Sequence, residues 1–176
     1  MKYICLSLFM LTSFQHQVIF NFTTTAAIDQ WRIVNDGVMG GLSQGSFSLN
    51  SEGHGLFKGA VSLDNNGGFT SIRYQFSPLT TNKNSKIKLR LKGDGKEYQF
   101  RIKDDARQYY SYTSSFQTNG DWQEIEIPLS QMIPTFRGRK LDLPNFSKSQ
   151  IEEIVFLIGN KKEEQFELLL DSIELL

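Results

Sequence analysis

Lys86-Ile87-Lys88-Leu89-Arg90-Leu91-Lys92 places an aliphatic residue at every second position and a basic one between. That is the period of a β-strand with one face buried and the other in water. The next run, Glu97-Tyr98-Gln99-Phe100-Arg101-Ile102-Lys103, repeats the alternation after Gly93-Asp94-Gly95-Lys96. An Asp-Gly step supplies the positive φ that a short antiparallel connection needs, so the two runs are expected to form a hairpin. Its solvent face would gather Lys86, Lys88, Arg90, Lys92, Arg101 and Lys103, diluted by Glu97 and Gln99. Such a face either discourages edge pairing or binds anions.

Further strands are expected at 18–22, 57–63, 72–76, 109–113, 123–127, 154–158 and 166–170. Many short strands separated by Gly, Asn, Ser and Pro point to an all-β sandwich or jelly roll and not to an α/β fold. Ser147 to Glu153 is expected to add a single helical turn capped by a serine. At 176 residues the chain is one ordinary domain, and its 14 phenylalanines supply an aromatic core. No repeat, low-complexity tract or linker divides it.

Lysine plus arginine equal aspartate plus glutamate at 19 each, so no global field draws the chain to nucleic acid or an anionic membrane. The single cysteine, Cys5, lies in the apolar run Ile4 to Leu11, which is too short to span a membrane and sits where the core of a secretory leader would be. Residues 1–17 are therefore expected to be a signal peptide and 18–176 the folded domain, periplasmic or secreted once the leader is removed and otherwise cytoplasmic. No transmembrane segment is expected in the mature chain.

Histidine chemistry is scarce: His16 falls within the leader, and His54 lies in Ser51-Glu52-Gly53-His54-Gly55, which reads as an exposed turn. No catalytic histidine, cofactor or transition-metal site is expected. Calcium needs only oxygen ligands, and Asp64, Asn65 and Asn66 or Asp104 and Asp105 could supply some, though without the spacing of a recognised loop. A pair of carboxylates can run glycoside hydrolysis, for which Asp36 and Asp94 are the pair to test. Each also has an ordinary turn role beside a glycine. Val38-Met39-Gly40-Gly41 is neither a dinucleotide fingerprint nor a P-loop.

Two glycine-rich stretches remain, Trp31-Arg32-Ile33-Val34-Asn35-Asp36-Gly37-Val38-Met39-Gly40-Gly41 and Asn65-Asn66-Gly67-Gly68-Phe69-Thr70-Ser71-Ile72-Arg73, and both read as loops. Taken with Leu56 to Leu63, Gly93-Asp94-Gly95, Trp122, Pro128 and Phe136-Arg137-Gly138-Arg139, in that order, they resemble the complex I intermediate-associated protein 30 family over roughly Val18 to Leu176. The resemblance implies a galactose-binding-domain-like β-sandwich and a part in assembly of respiratory NADH:ubiquinone oxidoreductase. It implies no reaction. The family's named member works in mitochondria, whereas this N-terminus reads as secretory.

Recognition by surface loops is what the residues then suggest. Candidate binding residues are Asn35, Asp36, Met39, Gly40, Gly41, Asn66, Gly67, Gly68, Phe69, Arg73, Arg137 and Arg139. Glycines would shape the loops, Met39 and Phe69 would give apolar contact, and the arginines would meet carboxylate or phosphate. Met39 fits a plug at the end of the sandwich as well as a contact. The arginines fit internal ion pairs equally. Two readings follow: a non-enzymatic assembly factor whose partner is a protein, respiratory-complex subunits being the expected class, or a carbohydrate-binding module in which Trp31 or Trp122 stacks on a sugar.

Overall fold

The computed structural model describes residues 16–176, apart from the side chains of Val38 and Met39. Cys5 and all but the last two residues of the expected leader lie outside that range. Thirteen strands follow one another: β1 (Gln17–Asn21), β2 (Trp31–Asn35), β3 (Gln44–Leu49), β4 (Gly55–Val61), β5 (Thr70–Thr80), β6 (Lys86–Gly93), β7 (Glu97–Lys103), β8 (Ser111–Gln117), β9 (Trp122–Pro128), β10 (Ile133–Phe136), β11 (Arg139–Lys140), β12 (Gln150–Ile158) and β13 (Glu164–Leu175). Three short 3₁₀ turns are the only helical segments among the described residues.

The strands form two antiparallel sheets. One has the order β3-β4-β13-β6-β9, with β1 also paired to β13. The other has the order β11-β10-β8-β7-β12-β5-β2. Their inner faces meet in one core of Phe57, Ile87, Leu89, Leu91, Tyr98, Phe100, Ile102, Phe156 and Leu168, all essentially inaccessible. The architecture is an all-β jelly-roll sandwich, as the alternating runs led us to expect.

Three expectations are corrected. β6 and β7 do not form a hairpin: β6 pairs with β13 and β9 in one sheet, while β7 pairs with β8 and β12 in the other. Gly93–Lys96 is an arch that carries the chain across the core. Both aliphatic faces can be buried that way, one from each layer, whereas a hairpin would bury them on the same side. The basic residues are thereby parted. Lys86, Lys88 and Arg90 face out of the first sheet and pair with Glu126, Glu124 and Asp171, while Arg101 and Lys103 belong to the second.

No helical turn forms at 147–153. β12 starts at Gln150, and Ile151 is fully buried opposite Leu79, with the register shifting before Glu153. Burial of an apolar side chain against the sheet overrides the local capping signal. Of the two stretches read as loops, each is partly strand. Trp31–Asn35 is β2, and Thr70 to Arg73 opens β5, with Trp31 stacked on Tyr74 at 5.1 Å between ring centroids.

Candidate functional site

The glycine-rich stretches meet around one carboxylate. Asp36, 1% exposed, follows β2 directly and opens a 3₁₀ turn. Its Oδ1 accepts from the Ser43 amide at 3.1 Å, and its Oδ2 accepts from the Ser43 hydroxyl at 2.5 Å and from the amides of Gly68 at 2.7 Å and Phe69 at 3.3 Å. Burial alone would raise the pKa of this carboxyl. The hydrogen bonds from Ser43, Gly68 and Phe69 outweigh it and hold the group below its ordinary value. The glycines serve the same carboxylate: a Cβ on Gly41 would overlap its Cγ, and one on Gly67 would lie 2.6 Å from Oδ2. Asn35 adds a second tie, its Oδ1 accepting from the Thr70 hydroxyl at 2.5 Å and the Gly45 amide at 3.2 Å.

Asn35, Asp36, Gly40, Gly41, Gly67, Gly68 and Phe69 thus come together as a clasp that locks two loops. Asn65, left-handed at φ 54°, donates to the Gly40 carbonyl at 3.0 Å, and Asn66 is left-handed beside it at φ 61°. Leu42 and Leu63, on the outside of these loops, are 56% and 42% exposed. The Met39 side chain lies outside the described residues. The clasp consumes the Asp36 carboxylate internally and leaves an exposed apolar rim on these loops.

Arg137 and Arg139 are elsewhere, on the β10–β11 hairpin at the opposite edge of the larger sheet from β2. Both are exposed, and the Arg137 guanidinium lies 5.3 Å from the Phe136 ring centroid. Phe136 in turn packs edge-on against Tyr109 at 5.1 Å. Arg73 belongs to a third place, the outer face of the same sheet.

That outer face carries residues which sequence reasoning missed. Register sets Arg32 opposite Arg73, Arg73 opposite Val155, Val155 opposite Arg101, and Arg101 opposite Thr113, so one row crosses five strands. Arg73 and Arg101 flank Val155 two strand spacings apart, roughly 10 Å at Cα. Burial first, and then the Arg73 charge, pull the Arg101 guanidinium down to about 10. Arg101 gives Nε and Nη2 to the side-chain oxygen Oε1 of Gln99 at 3.1 and 2.6 Å and has no acidic partner among the described residues. The carboxylate on this face, Glu153, is 2% exposed and sits opposite both Lys103 and Gln75. It accepts from Gln75 at 2.7 Å, with Lys103 Nζ at 3.6 Å and Arg73 Nη1 at 4.0 Å. Lys103 also donates to the carbonyls of Ala106 and Gln108, folding the 104–110 loop over this end of the face. The signal was present as Arg101 and Lys103 on a period-two run, but their neighbours come from strands remote in sequence.

Asp94, the other carboxylate of the pair suggested for hydrolysis, ties the arch to β13. It accepts from Lys96 at 2.6 Å, Tyr98 at 2.9 Å and the Glu167 amide at 3.0 Å. Burial opposes the ionised form, yet the bonds from Lys96, Glu167 and Tyr98 prevail and lower its pKa. Neither carboxyl is tuned as a general acid, which needs a raised pKa. His54 is half-buried and not in an exposed turn, with Nδ1 3.3 Å from Asp171 and its ring 4.6 Å from that of Trp122. Trp31 is core. Among the described residues no three His, Cys, Asp or Glu side chains converge as metal ligands, and no helix is long and apolar enough to cross a membrane.

Two solved structures of family 11 carbohydrate-binding modules from Clostridium thermocellum share the fold. One, in complex with a β-1,3-1,4-mixed-linked tetrasaccharide, has a TM-score of 0.68 at 17% identity over 92% of this chain and 95% of its own. The other, from the cellulosomal cellulase Lic26A-Cel5E, has a TM-score of 0.69 at 17% identity over 94% and 96%. A curated relative, the mitochondrial complex I intermediate-associated protein 30 of Mus musculus, is 24% identical over 90% of this chain. The chain spans 56% of that relative's length. The family model described as Complex I intermediate-associated protein 30 matches residues 20–170, and the chain belongs to that family.

Proposed function

We propose that this protein is a non-enzymatic binding protein of the assembly-factor type, acting on protein components of respiratory NADH dehydrogenase (complex I). The match to the family across residues 20–170 carries the reading. The two carboxylates considered for hydrolysis, Asp36 and Asp94, fit this reading in that each spends its oxygens on structural hydrogen bonds. In this reading Asn35, Asp36, Gly40, Gly41, Asn66, Gly67 and Gly68 set the shape of the loop pair. Phe69, Met39, Leu42 and Leu63 form its apolar contact, and Arg73, Arg137 and Arg139 orient the partner from the larger sheet and its edge. Apolar anchors of this kind contribute more than rim charges. Export by the 1–17 leader belongs to the same proposal and sets where the partner is met.

A carbohydrate-binding role is the second reading. Tyr109, 65% exposed and braced by Tyr110 and Phe136, favours it by offering an aromatic plane of the sort that stacks on sugar. Crosslinked affinity purification from the native cells separates the two. Wild-type protein is expected to recover respiratory-complex subunits, and Leu42→Asp with Leu63→Asp to lose them. Recovery of envelope glycan without those subunits, abolished by Tyr109→Ala, would replace the first reading with the second.

A further inference from the structure

Cross-strand neighbours of like charge repel, and Arg32 stands directly opposite Arg73, with Arg101 beyond Val155 in the same row, so an anion among them would relieve the repulsion. Within the chain, Glu153 is the carboxylate nearest this row, and it is already engaged by Gln75, Lys103 and the edge of Arg73. The face therefore sets Arg32, Arg73, Arg101 and Lys103 against one carboxylate at its centre. Glu97 stands at the far end of β7, paired opposite Gln117, and Glu152 is bonded to the Ala106 amide. Arg73 Nε is buried without a hydrogen-bond partner, and Arg101 uses two of its donors on a neutral amide oxygen. Val155, 2% exposed, stands between the two arginines in the row, and a low-dielectric neighbour of this kind strengthens charge–charge attraction.

We propose that Arg73 and Arg101, which flank Val155 in register with Arg32 at the edge, form a carboxylate-binding site that takes an acidic side chain of a protein partner. The proposal rests on the assembly-factor reading and specifies the chemistry of one contact. Guanidinium forks match a carboxylate in two parallel hydrogen bonds, and two forks about two strand spacings apart can close on it from both sides. Protein is favoured as the source because the family to which the chain belongs is read as one of assembly factors. Arginine is among the residues enriched in interface anchors. The chain's zero net charge offers nothing that would hold an extended polyanion.

The full chain would be titrated with an N-acetylated hexaglutamate peptide while the arginine Nε–Hε and backbone amide NMR signals are followed, with oligogalacturonate and inorganic phosphate as separate arms. Hexaglutamate is expected to shift the Arg73 and Arg101 signals saturably, with affinity at least tenfold weaker in Arg101→Gln and weaker in Arg101→Lys, and falling as salt is raised. Unmoved signals, or equal affinity in Arg101→Gln, overturn the proposal. So does a response to oligogalacturonate or phosphate alone. Should Arg101→Gln fail to fold, Arg32→Gln at the exposed edge replaces it, and a loss of a few-fold is expected. If respiratory subunits still co-purify with Arg101→Gln while hexaglutamate leaves both signals unmoved, this site fails and the assembly reading stands. If hexaglutamate binds as expected but no respiratory subunit is recovered, the reverse holds.

Discussion

Asp36 explains more of this sequence than any other single residue. Its four hydrogen bonds account for Ser43, Gly68 and Phe69, and the room it needs accounts for Gly41 and Gly67. Asp36→Ala strands buried donors and is expected to lower stability by about 3 kcal/mol or more, measured by urea unfolding. Because the folded pKa is below the unfolded value near 3.8, the ionised carboxylate stabilises the fold fully above that value. The contribution is lost as pH falls through the folded pKa. Asp36→Asn should therefore flatten the decline in stability below about pH 4 relative to wild type; parallel acid-unfolding curves would show that the carboxylate is not the tie. On the outer face, Glu153→Ala leaves Lys103 and Arg73 facing each other and should cost about 3–5 kcal/mol. Adding Lys103→Met should recover part of that loss in a double-mutant cycle.

At the scale of elements, the arch at Gly93–Lys96 and the close approach of β3 to β4 are the two devices on which the layers depend. Gly95 has φ 83°, with open space where a Cβ would stand, so Gly95→Ala should cost only the backbone strain, about 1 kcal/mol. Gly59 is different. A Cβ there would overlap the Gln44 carbonyl and come within 2.9 Å of Gly45 Cα, so backbone and not a mobile side chain stands in the way. Gly59→Ala is expected to push the edge strand β3 off β4, with hydrogen-exchange protection lost over 44–49 and kept in β12. Equal protection in both strands would mean that the sheet absorbs the methyl group without parting.

For the whole molecule, the order of pairing matters more than any one contact. β13 joins β4 to β6 in one sheet, and β12 joins β5 to β7 in the other. The last two strands of the chain are thus interior strands of both layers, and neither sheet is complete until they are in place. Removing 164–176 is expected to abolish cooperative unfolding altogether and leave a chain without near-ultraviolet circular dichroism. A retained sharp transition would show that one layer folds alone. The same topology gathers Arg32, Arg73 and Arg101 on one face, since β2 pairs with β5 and β12 stands between β5 and β7.

The sequence by itself determined that the fold is all-β, because period-two alternation is a local property that a strand displays wherever it pairs. It also determined that the glycine-rich stretches require special backbone, as the left-handed Gly40 and Asn65-Asn66 beside Gly67 show. Only the tertiary structure decided which layer each strand joins. Asp-Gly chemistry at 94–95 serves a hairpin and an arch equally, and burial of both aliphatic faces in one core selected the arch. Ile151 became strand because its partner, Leu79, lies across the sheet and not along the chain. The arginine row was hidden for the same reason: register between strands far apart in sequence sets which side chains stand together, and no local pattern encodes it.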